Sequence, residues 1–257
     1  MALMLLPVCT AVKAQIGEHR SDFSVGANVG YTMSSVGFTP KVTQSMLGGM
    51  TAGLSWRYVC EKYFKTICSI YGEVNYTQMG WKERILTSDD QPVINGVTGL
   101  PEQYSRTLSY IQVPVFAHLA WGHEHKGMQF FFQAGPQFGY MLNESTKTNF
   151  RFENMNRDDR ASLTCAQDTM SVENKFDYGI AAGLGVELSL KHVGHFLLEG
   201  RYYYGLGNIY GDTKRDYFGK SNNSSNIVKL TYLFDLNRDR KNRRLKQDYV
   251  KKKKKNN

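Results

Sequence analysis

Asp22-Phe-Ser-Val-Gly-Ala-Asn-Val-Gly-Tyr-Thr32 alternates without a break. Phe23, Val25, Ala27, Val29 and Tyr31 fall on one face, and Ser24, Gly26, Asn28, Gly30 and Thr32 on the other. Successive side chains of a strand point to opposite sides, so the stretch describes a strand lying between two unlike environments. The same alternation recurs seven more times, and strands are expected over 22–32, 45–59, 67–80, 105–120, 127–142, 175–190, 195–206 and 226–234. The connections 60–66, 121–126 and 191–194 are short. Those at 33–44, 81–104, 143–174 and 207–225 are long and rich in Asn, Asp, Ser, Thr and Gly.

Eight strands joined by strictly alternating short and long connections predict an all-β fold, an eight-stranded antiparallel up-and-down transmembrane β-barrel. With an even strand number both termini fall at the short-turn, periplasmic end. Alternation alone leaves the inner face open, since a soluble barrel carries its apolar side inward. Two features favour the inverted, membrane arrangement. Aromatic residues gather near both strand ends: Tyr31, Trp81, Tyr140, Tyr178 and Tyr204 toward the long connections, and Tyr58, Trp121, Tyr232 and Phe234 toward the short ones. The other face is built of Gly, Ser, Thr, Asn and Gln with few charges.

No run approaches the roughly 18 apolar residues of a spanning helix, which says nothing against barrel strands. The chain of 257 residues carries a formal net charge of +9. From Asp235 to Asn257 there are eleven Lys and Arg against three Asp, a net of +8, which leaves about +1 for residues 1–234. Basicity is a property of the tail, so the folded body shows no nucleic-acid signature. The expected organisation is a signal peptide over 1–14, ending at Val12-Lys-Ala14, a barrel domain over 15–236, and a basic, disordered periplasmic tail over 237–257. Cys60 and Cys68 flank a short turn, where either a disulfide or two free thiols satisfies the spacing. Cys165 has no evident partner.

Ser109-Tyr-Ile-Gln-Val-Pro-Val-Phe116, Ala134-Gly-Pro-Gln-Phe-Gly-Tyr140, Phe176-Asp-Tyr-Gly-Ile-Ala-Ala-Gly-Leu-Gly-Val-Glu187 and Leu198-Glu-Gly-Arg-Tyr-Tyr-Tyr-Gly-Leu-Gly-Asn208 resemble the PorT-family outer-membrane β-barrel proteins of Bacteroidetes. The likeness runs from about Phe23 to Phe234, with Gln112 where the family often has an acid. It implies an outer-membrane location and a barrel. A part in a secretion or gliding apparatus would be analogy at the level of the fold.

The residues expected to carry chemistry are the charges of the polar face: Arg57, Glu73, Asp177, Glu187, Glu199, Arg201 and Lys229. Eight strands enclose a space just wide enough to be filled by side chains, so these charges are expected to pair in a closed network. Glu199 and Arg201, on one strand and one face, are its centre. The alternative is a narrow path for ions or small solutes. His19, His118, His123, His125, His192 and His195 all fall at the periplasmic side or rim, which disfavours an extracellular His-dependent hydrolase. A surface-loop enzyme is therefore the weaker alternative, and no cofactor or metal is expected. The loop 143–174 is expected either to bind a partner protein, host ligand or surface glycan or to be solvated surface decoration, and the tail either to touch anionic head groups or a periplasmic partner or to be an inert extension. The expected partners are outer-membrane lipid and lipopolysaccharide, together with envelope or secretion-complex proteins, around a monomeric barrel.

Overall fold

The computed structural model describes residues 18–122, 127–162, 164–190, 193–211 and 217–236, the side chains of 18–20 excepted. The segments 1–14 and 237–257, and His123, His125 and His192, lie outside the described residues. Eight long strands run in order: β1 Glu18–Thr39, β2 Leu47–Tyr63, β3 Thr66–Glu83, β4 Tyr104–Gly122, β5 Gly127–Thr148, β6 Phe176–Leu190, β7 Gly194–Asn208 and β8 Lys220–Asp235. A two-residue ladder, Gln44–Ser45 against Lys82–Glu83, extends the β2–β3 pair. Every neighbour pair is antiparallel, and β1 pairs with both β2 and β8, so the sheet closes on itself. Closure satisfies the backbone of all eight strands within the ring, which hydrocarbon demands. The β1–β8 seam runs from Ser24↔Asp235 to Thr39↔Lys220 without a register shift.

Phe64 and Lys65 alone join β2 to β3, because Tyr63 pairs with Thr66. Phe64 takes φ 51°, the left-handed conformation that two-residue hairpins require. At the opposite end β1, β5 and β8 run further than the sequence pattern implied: β1 continues from 32 to Thr39, β5 from 142 to Thr148, and β8 starts at Lys220 rather than 226. The first long connection shrinks accordingly.

The cause is an inversion of polarity at constant phase. Along β1 the inward positions are Ser24, Gly26, Asn28, Gly30, Thr32 and Ser34, then Val36 and Phe38, both buried. Outward positions change from Val29 and Tyr31 to Ser35, Gly37 and Thr39. On β4 the outward Ser105, Thr107 and Ser109 give way to Ile111, Val113 and Val115, while Tyr104 and Leu108 point in. Each strand is thus apolar-out where lipid surrounds it and apolar-in where water does. Trp81, expected in the outer aromatic ring, is 0% exposed because it is in phase with the inward Glu73, Asn75 and Thr77. Tyr31, Tyr140, Tyr178 and Tyr204, and at the other end Trp121, Tyr232 and Phe234, do face outward.

Candidate functional site: the barrel interior and its cap

The interior is built by one phase of each strand. Nearest the short turns, Arg57 of β2 donates to Glu187 of β6 at 2.7 Å. His195 of β7 stands between Glu187, 2.6 Å from Nδ1, and Asp235, 3.0 Å from Nε2. Ser24 of β1 donates to the same Asp235 at 2.5 Å. Midway along the strands, Arg201 of β7 holds both oxygens of Glu73 of β3, at 2.8 and 3.0 Å, and pairs with Glu199 at 2.5 Å. Lys229 of β8 donates to Glu73 at 2.7 Å, and the Arg201 guanidinium lies 4.5 Å from the Phe116 ring centroid. Two acids therefore face two bases, and each of the four is 3% exposed or less. Buried charges so matched and hydrogen-bonded offset much of the cost of leaving water.

Toward the long connections Asp177 accepts from the Tyr203 hydroxyl at 2.9 Å and from the Asn223 amide at 3.3 Å. All seven charges read from the sequence point inward. Six join two ion-pair clusters, and Asp177 stands apart from both, held by neutral donors. The partners that the sequence reading missed are His118, His195 and Asp235. His118 sits between the rings of Tyr71 and Phe131, centroids 5.8 and 4.8 Å away, and bonds Gln133 at 3.2 Å. Gln133 in turn donates to Glu199 at 2.5 Å. The signal was available: His118 shares a phase with Gln112 and Phe116, and His195 with Glu199 and Arg201.

Above this polar interior the long connections fold into the mouth. Val36, Phe38, Met79, Trp81, Tyr104 and Leu108 from the strands pack with Val93, Phe150, Val172, Ile209, Tyr210 and Phe218 from the connections, forming one apolar layer. Loop 143–174 is folded rather than open. Its first residues belong to β5, and the remainder is drawn inward as a cap carrying the short turns Phe152–Asn154 and Ala166–Thr169. Arg160 pins it, donating to Glu102 at 2.7 Å and to Asp168 at 3.0 Å, with the ring of Phe150 5.4 Å away. Gln167 reaches Glu83 at 2.8 Å, and Arg106 of β4 donates to the carbonyls of Gln167 and Met170 and to the Tyr210 hydroxyl.

Burial raises the Asp168 carboxyl above the usual range, its hydrogen bonds with Glu83 and Arg160 opposing that rise only in part. Burial also acts to raise Glu102, but the Asn156 N–H, the Asn95 amide and Arg160 outweigh it and hold that carboxyl low. A carboxyl raised on folding contributes stability that is complete below its unfolded value near ~3.9 and fades as pH rises through the folded value. One lowered on folding contributes stability that is lost as pH falls through its folded value, below ~4.3. The cap is therefore expected to hold most firmly between the folded values of Glu102 and Asp168, and to loosen as pH rises through that of Asp168. Hydrogen exchange over 149–175, corrected for intrinsic rate, should show the loosening as pH is raised, and Asp168→Asn should flatten it.

Cys60 and Cys68 form no disulfide, and both are free thiols, as is Cys165. A bulge is the reason: Val59 pairs with Ser69 and Glu61 with Cys68, so Cys60 has no residue across from it. Among the described residues no group of three or more His, Cys, Asp and Glu is arranged to hold a metal ion.

A closed antiparallel ring, lipid-polarised over its middle and polar within, defines a transmembrane barrel of the bacterial outer membrane. Residues 13–211 match the family described as outer membrane protein beta-barrel domain, and the chain belongs to that family. Among solved structures it is similar to OprG from Pseudomonas aeruginosa at 13% identity and a TM-score of 0.41, covering 85% of this chain and 98% of that one. Neisserial surface protein A aligns at 11% identity and a TM-score of 0.39, covering 82% and 97%. Ail of Yersinia pestis, in complex with the heparin analogue sucrose octasulfate, aligns at 12% identity and 0.35, covering 84% and 100%. No curated protein matches the chain.

Proposed function

We propose that this protein is a closed, non-enzymatic barrel with a structural or interaction role in the cell envelope, as an accessory of a secretion or envelope complex. The observation that carries the reading is the occupied interior: paired charges and buried apolar side chains share its middle, and an apolar layer packs across the mouth above them. A narrow pore would need water continuous through that layer, and a surface enzyme would need a nucleophile and base that the described residues of the cap do not bring together. The likeness of 109–116, 134–140, 176–187 and 198–208 to PorT-family proteins of Bacteroidetes supports the accessory role. In this reading a signal peptide at 1–14 exports the chain, the barrel is the single domain, and the tail at 237–257 meets a periplasmic partner.

Purified protein in planar bilayers is expected to give no stepwise conductance at neutral pH. Regular single-channel steps would sink the closed-barrel reading in favour of the pore. Photocrosslinking from the tail in intact cells is expected to capture a discrete envelope protein that a chain ending at Leu236 does not.

A further inference from the structure

The lipid-facing wall carries a notch that neither the fold nor the closed interior requires. On the outer side of β5, β6, β7 and β8 the wall falls away at Ala182 and Gly200, leaving a groove of about 330 Å³. Phe132 and Leu184 wall one side, Tyr202 and Val228 the other. All four project, being 43–69% exposed. At Gly200 the groove is open, since an added Cβ would meet nothing within 4 Å. The depth is given by the polarity inversion. Outward residues of β8 read Lys220, Ser224 and Asn226, then Val228, Leu230 and Tyr232, so the groove lies just below the line where the wall turns from polar to apolar.

We propose that this groove binds one acyl chain of an anionic outer-leaflet lipid. Three observations select that occupant. The groove is apolar and opens into the hydrocarbon side of the wall, where flexible chains are the surrounding medium. At its upper end the half-buried Asn226 carboxamide makes no hydrogen bond to a described residue, and a polar group at that depth needs one. An ester carbonyl or hydroxyl at the root of an acyl chain supplies it. Higher on the same strand the exposed Lys220, bonded to the Tyr204 hydroxyl at 3.0 Å and 5.5 Å from its ring centroid, offers a cation to a phosphate head group. A second copy of this chain fits less well. A twofold contact sets the same patch on both partners, so groove would face groove and leave the space unfilled.

The test uses the full chain refolded in detergent and native mass spectrometry with two probes, diphosphorylated lipid A and zwitterionic phosphatidylethanolamine. Wild type is expected to retain one lipid A after delipidation. Ala182→Leu with Gly200→Leu, which fills the groove from outside, should lower that occupancy at least tenfold. Lys220→Gln should weaken lipid A and spare phosphatidylethanolamine. Folding is checked by the heat-dependent gel shift, and if the double variant does not fold, Val228→Trp closes the groove from its other wall and is read the same way. Undiminished lipid A on a folded, groove-filled variant would overturn the proposal. So would a wild-type dimer that the filled variant loses. Equal retention of both lipids, insensitive to Lys220→Gln, would overturn the anionic head group.

Discussion

Glu73→Ala is expected to destabilise the barrel by about 3–5 kcal/mol, the range for breaking a buried ion pair from one side. Among the described residues Glu73 is the carboxylate hydrogen-bonded to Lys229, it takes both ends of the Arg201 fork, and its side chain is fully buried. Its loss leaves two cations against the single carboxylate of Glu199, all three almost fully buried. The measurement is the urea dependence of the folded, heat-shifted band in detergent. Removing a cation together with the acid, as Glu73→Gln with Lys229→Met, restores the balance and should cost clearly less than Glu73→Ala. If single and double variants unfold at the same urea concentration, the cluster is not a coupled unit.

Arg160→Ala should act on the cap and spare the membrane barrel. The guanidinium is the shared partner of Glu102 and Asp168, whose side chains are fully buried. Removing it leaves two buried carboxylates facing each other, a local penalty again on the order of 3–5 kcal/mol. The expected result is rapid protease cleavage within 149–175 at pH 8, with an unchanged heat shift because the closed strand ring is intact. Arg160→Lys should rescue poorly, since one ammonium cannot serve two carboxylates as a planar fork does. Cleavage no faster than wild type would show that the apolar layer alone holds the cap.

The membrane part of this fold was legible because one strict rule, alternation, governs every residue of it. Phase alone places all seven interior charges, and phase read a little further would have found His118 and His195. The upper part was not legible for a physical reason. Past Tyr31 and Ser109 the phase persists while its chemistry reverses, so Ser35, Gly37 and Thr39 read as loop although they are paired strand. The same reversal puts Trp81 inside. The cap left still less trace, since Arg160 meets Glu102 from 58 residues away and no local pattern announces that. The bulge at Cys60 is equally silent, a single unpaired residue undoing the spacing on which a disulfide would depend.

The seam between the first and last strands has a consequence for how long the molecule lasts. Sixteen successive register pairs join β1 to β8, from Ser24 to Thr39 on one side. Where lipid surrounds that line, below Ser35, no partial opening is cheap, because each separated pair exposes backbone groups that lipid cannot solvate. Loss of the barrel must therefore pass over a high barrier in nearly one event, and its persistence is a matter of rate rather than of equilibrium. Once zipped, such a chain leaves the membrane with the cell's growth and shedding, not by falling apart.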